Sequence, residues 1–181
     1  VVDQDKNKIK SWNNKSLKEL PIYEHGLEEL IEKTRNKNLY FSVDIDKAIE
    51  ESNMIFVAVN TPTKETGEGK GFAADLSNVE ACAKRIALKS KSNKIVIEKS
   101  TLPVRTAEKI KEVLKKFNKK NNFEVISNPE FLAEGTAIEN LYKSDRVLIG
   151  GENTVSGKED ENALVEIYKN WMPESKILKT F

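Results

Sequence analysis

Apolar residues along the chain follow two rhythms that take turns. Short runs rich in β-branched and aromatic residues occupy 39–43, 54–59, 94–98, 123–127 and 146–149, each the length of a buried strand. Between them the apolar spacing widens to three and four. Ile9 and Trp12 lie three apart in 5–12, Leu27, Leu30 and Ile31 share a face in 26–34, and 46–51 makes a shorter piece. Val79, Ala83, Ile86 and Ala87 form one stripe over 76–89. Ala107, Ile110, Val113, Leu114 and Phe117 form another over 104–118, and Leu164, Ile167 and Tyr168 mark a last helix in 158–170. Strands separated by helices need crossover connections. The pattern therefore predicts an α/β fold around a doubly wound, mainly parallel sheet.

Sheets of this kind hold ligands at the carboxyl ends of their strands, so the residues that follow each apolar run matter most. Asp3 ends Val1-Val2-Asp3, which reads as the tail of a strand already under way. An acidic residue at such a place hydrogen-bonds the adenosine ribose in dinucleotide folds and repels a 2′-phosphate. For an Asp taken alone, a helix N-cap is the commoner role. Asn60-Thr61-Pro62-Thr63 follows the 54–59 run, either as a backbone approach to a cofactor or as an ordinary proline turn. Residues 61–74 form the one long irregular connection. Gly67, Gly69 and Gly71 within it have no strand leading in and no Lys-Ser/Thr pair closing it, which favours a flexible surface loop over a phosphate cradle. Lys99-Ser100-Thr101-Leu102-Pro103 offers Thr101 either as the cap of a helix starting near Val104 or as a reactive hydroxyl. After 123–127, Glu130 and Glu134 stand four apart around Phe131 and Leu132. A partly desolvated carboxylate at a cleft can act as a general base; the alternative is that both are solvated or cap a helix.

Composition narrows the classes. Of the 181 residues 38% are hydrophobic and 33% charged, which suits one folded domain with a heavily charged surface. Basic and acidic side chains nearly cancel, 30 against 29, so no global field favours nucleic acid or an anionic membrane. Lys115-Lys116 and Lys119-Lys120 sit where they complement a helix dipole. No apolar run approaches the roughly 20 residues of a membrane span. Cys82 is the only cysteine, which excludes an internal disulfide and favours a reducing compartment, the cytoplasm. With no basic partner in view it reads as a small apolar residue. His25 is the only histidine, so no metal cluster is expected. Trp12 and Trp171 fit apolar helix faces and read as core.

Six segments carry a resemblance when taken in order. They are Pro21-Ile22-Tyr23-Glu24-x-Gly26-Leu27, Val59-Asn60-Thr61-Pro62-Thr63, Gly71-x-Ala73-Ala74-Asp75-Leu76, Glu98-Lys99-Ser100-Thr101-x-Pro103-Val104-Arg105-Thr106, the block from Ser127 and Asn128 through Glu130 and Glu134 to Ala137, and Asp145-Arg146-Val147-Leu148-Ile149-Gly150-Gly151. Over essentially the whole chain they resemble the UDP-glucose 6-dehydrogenase family. The resemblance implies a Rossmann-like NAD-binding domain over 1–181, cut at both ends and lacking its first strand and glycine-rich turn. It implies oxidation of UDP-glucose to UDP-glucuronate with reduction of two NAD, through a thioester on a cysteine placed beyond Phe181, in a homo-oligomer. By the same resemblance Asp3 and Lys8 meet the adenosine end of NAD. Val59, Asn60, Thr61, Pro62, Thr63, Ser100, Thr101, Leu102 and Glu134 line the rest of the cofactor. Thr101 positions the catalytic water, Glu130 is the acid/base of the hydrolytic step, and Glu130, Phe131, Leu132, Ala133 and Glu134 meet the sugar nucleotide. Two departures stand out: His25 replaces the usual proline, and Lys8 replaces a frequent arginine, which weakens planar stacking. A dehydrogenase acting on GDP-mannose or UDP-N-acetyl sugars, and a non-catalytic NAD-binding module, remain alternatives. Without a central first strand, the isolated chain is expected to be unstable.

Overall fold

Four of the apolar runs form strands. In the computed structural model, which describes residues 1–180, these are β1 (Met54–Val57), β2 (Lys94–Glu98), β3 (Phe123–Ser127) and β4 (Val147–Gly150), with β5 (Ile177–Thr180) beyond them. They lie in chain order across one sheet. β1, β2 and β3 pair in parallel, with Met54 opposite Ile95 and Ile97 opposite Ile126, and β4 pairs in parallel with β5. β3 and β4 meet antiparallel at Ser127 and Gly150 alone. Val96, Ile97, Val125 and Ile126 are all buried, so consecutive residues are covered on both faces, as a mainly parallel sheet requires.

Helices supply the cover. α7 (Val155–Tyr168) packs Leu164, Val165 and Tyr168 against Ile97, Ile126, Val147 and Ile149, with Met172 joining the cluster. Val96 and Val125 are out of phase with that set and face the other way. α4 (Ser77–Lys89) and α5 (Thr106–Phe117) pack on each other and bury Val79, Ala83, Ile86, Ile110 and Leu114. The ammonium of Lys94 is buried but satisfied. It donates to the carbonyls of Glu50 at 3.1 Å and Ser52 at 2.6 Å, at the end of α3 (Ile45–Glu51), where a cation suits the helix terminus.

The sheet belongs to one of two compact units, residues 49–130 with 145 onward; the other is 1–48 with 131–144. This second unit holds α1 (Lys6–Trp12), α2 (Leu27–Thr34) and α6 (Ala137–Tyr142). Ile9 and Ile31 are its buried apolar anchors, and Trp12 stacks on Phe41 with centroids 4.9 Å apart. Trp171 packs at the edge of the α7 core, tilted on Tyr168, so both tryptophans are structural.

The periodic reading needs correction in several places, α7 among them: it runs Val155–Tyr168 rather than 158–170, because Thr154 caps it by accepting Gly157 N at 3.0 Å. Residues 39–43 form no strand: isolated bridges join Leu39 to Arg35 and Ser42 to Val2, and two separate residue pairs are not a ladder, whatever the β-propensity of the run. α6 went unforeseen because six residues carry no readable period. β5 falls in a tail left unassigned, and Phe181 lies outside the described residues. α5 begins at Thr106, two residues later than its apolar stripe implies, because Arg105 is left-handed (φ 72°) and grips Glu108 with two nitrogens. Among the described residues no helix is long and apolar enough to cross a membrane.

Candidate functional site

Parallel pairing puts the carboxyl ends of β1, β2 and β3 side by side, and three loops leave from there. The loops are stitched together. Ser100, almost fully buried, donates from Oγ to the Val59 carbonyl at 2.7 Å, and Thr61 Oγ1 donates to the Thr101 carbonyl at 3.3 Å. Asn78 Nδ2 holds Asn60 at its carbonyl and its side-chain oxygen, at 3.1 and 3.2 Å. Val59, Asn60, Thr61, Ser100 and Thr101 thus form one patch, with Leu102 half-buried beside it. Pro62 and Thr63 lead into the glycine-rich stretch, which is not the flexible loop expected from its composition. Backbone bonds from Lys64 N to Ala73 O (2.8 Å), Gly71 N to Lys64 O (2.9 Å) and Asp75 N to Pro62 O (2.7 Å) close it into a hairpin.

Thr101 does not cap α5. The helix starts five residues later without a side-chain cap, and Thr106 Oγ1 bonds the Pro103 carbonyl instead. The Thr101 hydroxyl is therefore not used for capping and sits exposed at the strand end.

Beneath the end of β3 lies a small buried network. Asn128, wholly buried, donates from Nδ2 to the Leu148 carbonyl at 2.8 Å and accepts the Tyr168 hydroxyl at 2.6 Å. Burial pushes the Tyr168 phenol up; the bond to Asn128 opposes this and the charge of Glu130 adds to it. Two residues past Asn128, the Glu130 side chain is exposed. Lys99, half-buried at the end of β2, has its pKa lowered by burial, while the negative charge of Glu130 pulls it back up. Adjacent strand ends thus present a hydroxyl, an ammonium and a carboxylate. That set can hold a water by hydrogen bonds and take its proton.

Glu98, the last residue of β2, is 4% exposed, and burial pushes its carboxyl from an ordinary 4.5 up to about 7. The folded chain keeps this proton to higher pH than the unfolded chain does. The resulting stabilisation is complete below pH 4.5 and is lost as pH rises through about 7. Glu98→Gln is neutral throughout and is expected to raise Tm above pH 7, by at most roughly 3 kcal/mol of stability, with little change below the unfolded pKa. A Tm difference that stays constant across that window would remove Glu98 as the cause.

In the other unit, Asp3 and Lys8 come together at 4.0 Å, both partly exposed. The N-cap reading of Asp3 goes to Asp5, whose Oδ1 accepts from Asn7 N at 2.8 Å and Lys8 N at 3.2 Å to start α1. The Asp3 side chain accepts the Asp5 amide at 2.9 Å through Oδ1, inside the same turn. Phe131, Leu132, Ala133 and Glu134 form an exposed loop in this same unit, held locally by Ala133 N on Asn140 Oδ1 at 2.9 Å. Glu130 falls in the sheet unit, so the two carboxylates that stand four apart in sequence belong to different units. Cys82 is half-buried in α4, where burial raises its thiol pKa, a poor setting for a nucleophile. Among the described residues no three His, Cys, Asp or Glu side chains gather to hold a metal.

Sequence reasoning missed the roles of Asn128, Tyr168, Lys99 and Glu98. Asn128 and Lys99 stand inside the quoted motifs, but nothing local shows that one is wholly buried and that the other feels the charge of Glu130.

A mainly parallel α/β sheet with polar loops converging on its strand ends, and an acid free of capping duty, defines a dinucleotide-binding domain. The chain belongs to the UDP-glucose/GDP-mannose dehydrogenase family, and residues 1–172 match its NAD binding domain. It is 54% identical over 180 residues to UDP-glucose 6-dehydrogenase 4 of Oryza sativa, covering 99% of this chain and 37% of the relative. It is 53% identical over 181 residues to the UDP-glucose 6-dehydrogenase of Mus musculus, covering 36% of that protein. The chain thus spans little more than a third of the curated relatives it matches. Among solved structures, it resembles a UDP-glucose dehydrogenase from the archaeon Pyrobaculum islandicum with TM-score 0.82 and 27% identity, covering 99% of this chain and 39% of that one. It resembles a GDP-mannose dehydrogenase from Pseudomonas aeruginosa with TM-score 0.84 and 29% identity, covering 99% and 40%.

Proposed function

We propose that residues 1–181 are the NAD-binding domain of an enzyme that oxidises the C6 alcohol of UDP-glucose to the carboxylate of UDP-glucuronate and reduces two NAD. The observation that carries the substrate is the 54% identity, over 99% of this chain, to a UDP-glucose 6-dehydrogenase. Bound NAD supplies the hydride acceptor for both oxidations. The residues present fit it on one point of geometry: Asp3 Oδ2 lies 4.0 Å from Lys8, too far for a hydrogen bond, and so is open to accept from a ribose hydroxyl. Asp3 and Lys8 hold the adenosine end, the latter as a point charge. Val59 to Thr63, Ser100, Thr101, Leu102 and Glu134 line the remainder. Phe131, Leu132, Ala133 and Glu134 bind the sugar nucleotide together with Glu130.

The chemistry assigned to this chain is the hydrolytic half. Thr101 orients a water, Glu130 takes its proton, and the ammonium of Lys99 keeps a positive charge beside the carboxylate. The thiol that captures the aldehyde comes from outside residues 1–181, since Cys82 is unsuited to it. The enzyme is assigned to the cytoplasm, in keeping with a single free cysteine, and to a homo-oligomer on the family resemblance.

The test is stoichiometry with a substrate panel. The intact enzyme is expected to form two NADH per UDP-glucuronate. Faster turnover of GDP-mannose or a UDP-N-acetyl sugar would replace the substrate. Failure to reduce NAD with any of them would leave a non-catalytic NAD-binding module. This chain alone is expected to form no UDP-glucuronate.

A further inference from the structure

Glu24 is a buried carboxylate, 9% exposed, on the link that leads into α2. Both of its oxygens are engaged by backbone amides far along the chain. Gly135 N donates to Oε1 at 2.7 Å and Ala137 N donates to Oε2 at 2.9 Å. The link itself is fixed, because the Glu24 carbonyl accepts Leu27 N at 3.1 Å.

The segment it grips lies on the surface. Phe131 to Thr136 is exposed and without regular structure. Local bonds also shape it, among them Ala133 N to Asn140 Oδ1, Thr136 N to Ala133 O, and Thr136 Oγ1 to Asn140 Oδ1. Gly135 takes a left-handed turn (φ 85°), with its amide on the carboxylate.

We propose that Glu24 is a positioning residue for sugar-nucleotide binding. Its carboxylate pins the backbone at Gly135 and Ala137 and so fixes the loop of Phe131, Leu132, Ala133 and Glu134. This rests on the assignment of that loop to the sugar nucleotide. Two donors require two acceptors. A glutamine offers one oxygen and one NH₂, so one amide would face a donor, and an aspartate keeps both oxygens but stops one methylene short. Charge-assisted bonds of this kind are the stronger ones, and losing one loosens the loop.

The test uses the intact enzyme with three variants, Glu24→Gln, Glu24→Asp and, as a control on the exposed face of α2, Glu29→Gln. Glu24→Gln is expected to raise KM for UDP-glucose about tenfold while kcat changes less, consistent with one charged hydrogen bond. Hydrogen exchange in a peptide covering 131–137 is expected to quicken, with peptides covering β2 and β3 unchanged. Glu24→Asp is expected to fall between Gln and wild type, and it carries the test if the Gln variant does not fold. Unchanged KM and exchange in Glu24→Gln, or faster exchange across the whole protein, would overturn the role. If the wild type reduces no NAD with UDP-glucose, the assigned function fails, yet the exchange arm still decides whether Glu24 fastens the loop.

Discussion

Replacing Glu130 by Gln in the intact enzyme is expected to lower steady-state turnover by at least about 100-fold and to leave a covalent thioester on the enzyme. In the proposed hydrolysis, the water oxygen attacks the thioester carbonyl carbon as its proton passes to the Glu130 carboxylate. The C–S bond then breaks, and the same proton moves from Glu130 to the leaving thiolate, giving an acid and a restored thiol. Gln fills the same space and can hydrogen-bond the water, but it cannot take the proton. Both oxidations precede this step, so the first turnover should still release NADH as a burst. Stopped-flow absorbance gives the burst, and intact-protein mass gives the adduct. Wild-type turnover in the variant, or a slow variant with neither burst nor adduct, would remove Glu130 from hydrolysis. Its placement suits the role: it is exposed at the strand end while its charge is felt by both Lys99 and Tyr168.

The second large effect is on stability. Asn128→Ala is expected to cost about 2–4 kcal/mol, because it strips partners from two groups in a water-poor interior. Tyr168 loses its acceptor at 2.6 Å, and the Leu148 carbonyl loses its donor at 2.8 Å. Tyr168 is 4% exposed, so water cannot readily replace what is lost. The loss reads as a lower Tm of the intact enzyme and quicker hydrogen exchange in β3 and β4. A Tm within a degree of wild type would mean that the network contributes little. Tyr168→Phe is the milder companion, since it removes the hydroxyl along with its need for a partner.

The parts of this fold that could be read from the chain are those where burial is local and two-sided. β2 and β3 fall where their apolar runs lie, because every second residue on each face meets a helix. The failures share a physical cause. Residues 39–43 carry strand-forming side chains, yet strand identity needs a partner backbone along their length, and they meet only isolated bridges, to Arg35 and to Val2. Arg105 takes positive φ through its own grip on Glu108, and no residue type announces that. The site divides in the same way. Thr101 and Glu130 are legible as polar residues after strands. The bond of Asn128 to Tyr168, and the electrostatic influence of Glu130 on Lys99, arise between segments far apart in the chain, and spacing along one segment does not encode them.

The bonds made by Glu24 also set an order in time. They join residues 111 and 113 positions apart. Synthesis at roughly 5–20 residues per second separates the two partners by on the order of ten seconds. Through that interval the carboxylate stays in water and the link before α2 has nothing to hold. Closing so long a loop early is entropically unfavourable, so the bonds form once intervening structure has brought the ends near. The loop assigned to the sugar nucleotide is therefore set only after β1, β2 and β3 have been synthesised, while β4 and β5 are still to come.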